Sequence, residues 1–257
     1  MQDTMPKGRR TRDELRTMLL DEGRDILYTE GIVTLSSNLT FKRVFDRLEE
    51  RTGERVTNAS VIRRIWANQV DFQTDVLVAI AHDEHRPELA DGVDAVLGAV
   101  ARLDFSTPES RESSLSEICR VGGSAHSVIL AESTSFPLWL SVIAMAFTTP
   151  DSGQEKRMKG GLTDGYHAVY QFWSGTLASL FPLFGLRLRR TYTLHQFVKS
   201  VTAYSEGCSL SQRTVGAVEW VSRPTGPDGE VQEWSLFAVG LEALVHQFLE
   251  PDPDVSP

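Results

Sequence analysis

Apolar residues recur at every third or fourth position along most of the chain, and turn-forming residues separate the segments that carry this pattern. Such spacing is typical of amphipathic helices. In TRDELRTMLLDEGRDILYTEG the apolar residues share one face, Thr11 can act as N-cap with Glu14 three residues later, and Gly31 can end the helix. The pattern predicts a first helix of about five turns.

The next segments predict three more helices in close succession. TFKRVFDRLEERTG has Thr40 as a possible N-cap and Gly53 as its end. TNASVIRRIW predicts a short third helix, and NQVDFQTDVLVAIAHDEH predicts a fourth with Phe72, Val76 and Leu77 directed inward. Together these elements predict a small helical module at the start of the chain.

Six further segments beyond Pro87 carry the same helical spacing. The last of them, VQEWSLFAVGLEALVHQFLEP, is predicted to be one terminal helix that follows the turn SRPTGPDGE and precedes a frayed acidic tail. Strand-like alternation is confined to GIVTL and AVEWV. The sequence therefore predicts an all-α fold of about ten helices.

The third predicted helix divides into an apolar arc and a polar arc on a helical wheel. The apolar arc consists of Val61, Ile62, Ile65 and Trp66. Ser60, Arg63 and Arg64 lie on the opposite arc, where small residues and guanidinium groups suit a DNA major groove. The alternative interpretation is an ordinary surface helix with solvated arginines.

Charge is distributed unevenly between the start of the chain and the rest. Residues 1–70 contain 13 lysines and arginines against 11 aspartates and glutamates, whereas the other 187 residues contain 13 against 24. This asymmetry suggests a small basic module for a polyanion, joined to an acidic body that would avoid one. On charge alone, a merely neutral module remains an equal alternative.

Composition indicates a globular protein of a reducing compartment. The hydrophobic fraction is 41%, and the two cysteines, Cys119 and Cys208, lie far apart, so no disulfide is predicted. The first residues lack the apolar stretch of a signal peptide, and no segment reaches 18 uninterrupted apolar residues. We expect a cytoplasmic protein that does not associate with a membrane.

Residues 8 to 80 resemble the DNA-binding domain of the TetR family of bacterial transcriptional regulators. The resemblance rests on the basic leader KGRRTR, the long first helix ending in ILYTEG, the threonine-initiated second helix, and a short helix followed by IWANQVDFQTDVL. It implies a helix-turn-helix domain over 8–80, a helical ligand-binding and dimerisation domain over 81–250, and an acidic tail over 251–257. The implied partners are an operator in double-stranded DNA, a second copy of the chain and a small-molecule effector.

The resemblance also implies which residues meet DNA. The start of the second helix would contact phosphates, the third helix would enter the major groove, and the leader would reach the adjacent minor groove. The residues so assigned are Arg9, Arg10, Thr40, Lys42, Arg43, Thr57, Asn58, Ser60, Arg63, Arg64 and Gln69.

The terminal helix carries a broad apolar stripe with small residues, which suits close packing across a two-fold axis. The predicted dimer residues are Leu236, Val239, Gly240, Ala243, Leu244 and Phe248. The alternative is burial of this stripe within the same chain.

Aromatic residues cluster in FPLWL and YHAVYQFW and could line an apolar ligand pocket. The predicted pocket residues are Phe136, Trp139, Tyr166, Tyr170 and Trp173. The alternative is that these residues form plain core, which aromatic residues at helical spacing more often do.

Sequence patterns of enzymes are missing from the chain. There is no nucleophile elbow, P-loop or dinucleotide fingerprint, and the HDEH stretch offers too few neighbouring ligands for a metal. No catalytic residue, metal site or cofactor is therefore predicted. We expect a sequence-specific DNA-binding transcriptional regulator, a repressor that a small apolar ligand releases. The alternative is an all-helical ligand-binding or adaptor protein without specific DNA binding.

Overall fold

The computed structural model describes residues 11–32, 35–53, 64–82, 87–149, 153–225 and 229–255. The chain is predominantly helical, as the apolar spacing predicts, with a few short strands. Contacts divide it into two compact units, one formed by Met1–Asp83 and Thr134–Gly165, the other by Glu84–Ser133 and Tyr166–Pro257. The first unit thus includes residues 134–165, which lie beyond the boundary predicted near residue 80.

The described elements follow one another in a simple order. The helices are α1 (Arg12–Glu30), α2 (Leu35–Asn38), α3 (Phe41–Thr52), α4 (Gln69–Ala81), α5 (Pro87–Val100), α6 (Pro108–Glu132), α7 (Ser135–Thr148), α8 (Gly153–Leu180), α9 (Leu194–Val215) and α10 (Leu236–Phe248). The strands are β1 (Leu186–Leu188), β2 (Trp220–Thr225), β3 (Glu230–Ser235) and β4 (Leu249–Pro251).

The helix ends of the first unit follow the predicted capping residues. Thr11 and Glu14 form a reciprocal capping box at the start of α1, and Gly31 ends it at φ 77°. Thr40 caps α3 by accepting a hydrogen bond from the Arg43 amide, and Gly53 ends α3 in the left-handed region. Local sequence chemistry therefore sets where these helices begin and end.

The core of the first unit lies where α1, α3 and α4 meet. Leu19, Ile26, Val44 and Phe72 are fully buried there. Gly23 of α1 permits the close approach of α4, since a Cβ at this position would lie 2.7 Å from a methyl of Val76. The buried Gln73 side chain of α4 donates to the carbonyls of Leu35 and Leu39, which ties α2 to this core.

The second unit is built around a core shared by α6, α9 and α10. Phe197 and Trp234 are fully buried within it. Gly123 of α6 allows α10 to pack closely, because a Cβ there would lie 2.8 Å from the Cα of Ala238. Close packing of α6 against α10 thus forms part of the interior of this unit.

A β-hairpin replaces the first turns predicted for the terminal helix. Strands β2 and β3 pair antiparallel, with Trp220 opposite Ser235 and Thr225 opposite Glu230. The sequence VQEWS therefore lies in β3 and was wrongly assigned to the helix, because its apolar residues also fit helical spacing. The indole of the buried Trp234 donates to Thr225 Oγ1 at 2.7 Å across the hairpin.

Charged and hydroxyl groups fix this hairpin to the helices of its own unit. The buried carboxylate of Glu242 on α10 accepts from Ser116 Oγ at 2.6 Å and pairs with Arg223 Nη2 at 2.7 Å. The Arg223 guanidinium also lies over the Trp234 ring. Ser235 then caps α10 by accepting from the Ala238 amide, so the helix begins at Leu236.

Residues at the start of the predicted tail bond to β1 and to the turn before it. Leu249 and Pro251 of β4 pair with Leu188 and Leu186 of β1, and the Asp252 amide donates to the carbonyl of Gly185 at 2.8 Å. In the part of the chain that the structure describes, no single helix has the length and apolarity needed to cross a membrane; α6 and α7 meet that test only when counted together as one broken segment.

Candidate nucleic-acid interface and ligand cavity

The residues predicted to meet DNA fall into two groups. Those outside the described residues are Arg9, Arg10, Thr57, Asn58, Ser60 and Arg63. Thr40, Lys42, Arg43, Arg64 and Gln69 are described, and all five belong to the first unit.

Trp66 anchors the chain directly after the predicted third helix. Its side chain is 3% exposed and packs against Phe41 of α3 and Phe72 of α4, with ring centroids 6.2 Å and 4.9 Å away. Arg64, two residues earlier, is helical and exposed. The predicted inward position of Trp66 and outward position of Arg64 are therefore confirmed.

Asp75 holds this anchor in place through three partners. Its Oδ2 accepts from the Trp66 indole at 2.8 Å and from Arg16 Nη2 of α1 at 2.8 Å. Its Oδ1 accepts from Arg157 Nη2 of α8 at 2.6 Å, and Arg157 also donates to the backbone carbonyl of Asp71. A single half-buried carboxylate thus connects α1, α4, α8 and the residue that follows the third helix.

The start of α3 presents Lys42 more freely than Arg43. The Lys42 side chain is 90% exposed, and its ammonium lies 3.9 Å from Asp46 one turn later. Arg43 instead pairs with Glu30 at the end of α1, and Asn38 donates to the same carboxylate. The N-terminal amides of α3 and the Lys42 ammonium therefore form the more open position for a phosphate.

Gln69 is the first residue of α4 and is half-buried. Asn68 caps this helix by accepting a hydrogen bond from the Asp71 amide at 2.9 Å. The first amides of α4 follow Trp66 by only a few residues. The position of the α4 N-terminus therefore depends on the burial of Trp66.

The five aromatic residues predicted to line one pocket belong to different units. Phe136 and Trp139 of α7 are buried in the first unit and stack with centroids 6.2 Å apart. Tyr166, Tyr170 and Trp173 of α8 belong to the second unit. The Tyr166 hydroxyl donates to Glu206 there at 3.2 Å, which gives this aromatic group a polar neighbour.

His126 lies beside Trp173 in the second unit. Its Nε2 is 2.7 Å from Ser205 Oγ, and its ring contacts Trp173 edge-on at 6.2 Å and Phe237 at 5.1 Å. Burial lowers the pKa of His126 to about 4, so the imidazole is neutral at physiological pH. A neutral histidine at this place serves packing and hydrogen bonding rather than charge.

The predicted dimer residues of α10 differ in their surroundings. Phe248 is buried in its own unit, 4.4 Å from the Tyr192 ring and 5.4 Å from Phe197. Gly240 packs against Tyr204, since a Cβ at Gly240 would lie 2.3 Å from the phenol ring. Val239 and Leu244 also pack partly against the core of their unit.

Leu236 and Ala243 are the exposed members of that predicted stripe. The outward surface of α10 that they form is therefore narrower than the apolar pattern suggested.

A cavity of about 490 Å³ that the sequence did not predict lies beside α9. The second half of α9, the turn that follows it and the first residue of α10 line this space. Ala203, Gly207 and Ser211 follow one another at every fourth position of α9 and leave room on this face. Only this spacing of small residues could have indicated the cavity in advance, and the turn that closes it has no clear sequence signature.

Among the described residues, no group of three or more His, Cys, Asp or Glu side chains could hold a metal ion. No protein-family model matches the chain, and no curated protein is significantly similar to it.

Proposed function

We propose that the protein is a sequence-specific DNA-binding transcriptional regulator of TetR type, a repressor that acts as a homodimer and leaves DNA when a small ligand binds. The observation that carries this proposal is the anchor at Trp66. Burial of Trp66 and its bond to Asp75 fix the end of the predicted recognition helix, while Arg64 faces solvent. A helix held by an apolar face and presenting arginine outward suits a major groove.

The start of α3 supplies a second support. Thr40, the free amides of the first turn and the exposed Lys42 ammonium together offer donors and positive charge for one phosphate. In helix-turn-helix proteins such contacts hold the reading helix in register without carrying sequence information. Residues 1–70, which contain all the predicted DNA contacts, carry a net charge of +2, against −11 on the remainder, so DNA would approach this segment more readily than the rest of the chain.

Homodimerisation would place two reading helices on two half-sites about one helical turn of DNA apart. Of the two exposed residues of the predicted dimer stripe, Leu236 lines the cavity beside α9 and Ala243 does not, so the two-fold contact would run through the surface around Ala243.

Helix α8 provides a route for ligand control. Its first residues belong to the first unit, where Arg157 holds Asp71 and Asp75, and its last residues belong to the second. A ligand that binds the second unit and shifts α8 would change the contacts of Arg157 and thereby the support of Trp66. Such a shift requires the ligand to bind the DNA-free form more tightly than the DNA-bound form.

Selection from a random duplex library tests the proposal. The wild-type protein should enrich a sequence with two related half-sites, and the Arg64→Ala variant should lose enrichment at defined positions while Arg102→Ala, an exposed arginine of the second unit, retains it. If the wild type enriches no sequence although it is folded, the regulator is excluded and the all-helical ligand-binding or adaptor protein becomes the better description.

A further inference from the structure

The cavity beside α9 has the size of a small-molecule site, and its mainly apolar lining includes a few polar side chains. Its volume of about 490 Å³ lies within the range of ligand pockets, which is roughly 300 to 1,000 Å³. The apolar part of its lining includes Val215, Val218 and Leu236. All lining residues are described and belong to the second unit.

Gln212 supplies the first polar feature of this wall. The residue lines the cavity, is 7% exposed, and its Oε1 is buried without a hydrogen-bond partner among the described residues. A buried amide oxygen without a partner costs roughly 1 to 3 kcal/mol of stability, so proteins seldom retain one without a use. Rotation about the terminal torsion of this side chain would present the oxygen to a donor in the cavity.

Glu219 and the C-terminal end of α9 place negative charge at the same end of the cavity. The amides of Gly216 and Ala217 both bond to the Gln212 carbonyl, at 2.7 Å and 3.1 Å, and this turn carries Glu219 to the cavity wall. In the part of the chain that is described, the Glu219 carboxylate forms no ion pair. The C-terminal end of the α9 dipole adds partial negative charge here.

The arginine next to Gln212 in the chain bonds to backbone groups outside the cavity lining. Arg213, the neighbour of Gln212 in the chain, donates to the backbone carbonyls of Leu130 and Ser133 at the end of α6. Tyr204, which also lines the cavity, directs its hydroxyl proton to the Leu236 carbonyl at 2.9 Å. An anionic ligand would meet the Glu219 carboxylate rather than positive charge.

We propose that this cavity binds a small molecule with a protonated amine on an apolar body, the amine meeting Gln212 Oε1 and the Glu219 carboxylate and the apolar body packing against Val215, Val218 and Leu236. The inference concerns ligand binding alone and does not depend on DNA binding. Such a ligand differs from the apolar effector expected from the sequence, because it carries a positive charge that lies next to Glu219.

Three matched probes test the charge preference in the full chain by calorimetry: 4-phenylbutylamine, 4-phenylbutan-1-ol and 4-phenylbutanoate. The amine should bind about fivefold more tightly than the alcohol, because its charge is opposite to that of Glu219. The carboxylate should bind most weakly. Equal affinities, or tightest binding of the carboxylate, would overturn the proposal.

Two variants assign the contacts. Glu219→Gln should weaken amine binding about fivefold and leave alcohol binding unchanged, because it removes charge and not shape. Gln212→Met should weaken both ligands and raise the melting temperature of the free protein, because it removes the unpartnered buried oxygen. Glu230→Gln, an exposed carboxylate on β3 outside the cavity, is the control. If neither cavity variant changes amine affinity, or Gln212→Met lowers the melting temperature, the assignment is wrong.

Cys208 reports whether the cavity is open, since it lines the cavity and the buried Cys119 serves as internal reference. Alkylation of Cys208 by N-ethylmaleimide should proceed at a rate independent of protein concentration, and 4-phenylbutylamine should slow it. A rate that falls as protein concentration rises and does not respond to the amine would mean that a second copy covers the cavity, which overturns the proposal.

Discussion

The indole Nε1 of Trp66 donates to Asp75 Oδ2 over 2.8 Å. This bond joins the residue that follows the predicted recognition helix to the second turn of α4. Because Arg16 and Arg157 hold the same carboxylate from two other helices, the angle at which that segment leaves the core is fixed by a shared polar contact. Removal of the Asp75 charge should therefore weaken DNA binding indirectly, because it loosens the segment that precedes Trp66.

Asp75→Asn should lower the free energy of unfolding by about 2 to 3 kcal/mol, because two guanidinium groups lose their half-buried anion. DNA affinity, measured by fluorescence polarisation where the variant remains folded, should fall as well. Asp91→Asn, which changes an exposed aspartate of α5, should alter neither quantity. If Asp75→Asn binds DNA with unchanged affinity, the contact between Asp75 and Trp66 does not support DNA binding.

Lys42→Ala should weaken binding to every DNA sequence by a similar factor and reduce the slope of log affinity against log salt by about 1. The reason is that the exposed ammonium at the start of α3 would meet a phosphate and not a base. A salt titration of polarisation measures this slope. The control Lys199→Ala changes an exposed lysine of α9 and should leave the slope unchanged. If Lys42→Ala also leaves the slope unchanged, Lys42 does not contact a phosphate.

Gly240→Ala should lower the free energy of unfolding by about 1 to 3 kcal/mol, since the added methyl overlaps the Tyr204 ring of the same chain. Gly160→Ala is the matched control, because a Cβ at this exposed position of α8 meets nothing within 4 Å and should raise helix stability. Urea unfolding gives both values. Equal stabilisation by the two substitutions would contradict the packing described for α10.

Stability should fall as pH is lowered from about 6.5 towards 4, in part through His126. Its folded pKa of about 4 lies below the ordinary value of 6.5, so within this window the unfolded chain binds a proton that the folded protein does not. Above pH 6.5 both states are neutral and this contribution is constant. His126→Gln should flatten the dependence measured by urea unfolding, whereas the exposed His246→Gln should retain it; identical slopes for His126→Gln and wild type would contradict the assignment.

The helix ends of the first unit were predictable because capping is local chemistry. Thr11 with Glu14, and Thr40 before an apolar run, define their helices within four residues. The hairpin was not predictable in the same way, since Val231 and Trp234 lie three residues apart, which fits helical spacing and not strand alternation. What decides between the two is the pairing with β2, a tertiary contact.

The candidate sites show the same division. The inward position of Trp66 follows from the helical wheel, but its bond to Asp75 depends on the placement of α4. The aromatic residues of α7 and α8 lie close in the chain and yet belong to separate units. The role of Gln212 was not predictable, because a single glutamine in a helix forms no pattern. Only the folded structure shows that its Oε1 has no hydrogen-bond partner among the described residues.

Sequence recognition by Arg64, on a segment that Trp66 anchors, is the proposed role of the first unit. Its most direct test is the ratio of dissociation constants for duplex from the region upstream of the protein's own gene and for shuffled duplex of the same composition, at moderate salt. Specific recognition predicts a ratio of about a thousandfold or more, which falls towards one in Arg64→Ala and is retained in Arg102→Ala. A wild-type ratio near one for that region, with no other sequence selected from a random library, would contradict the account.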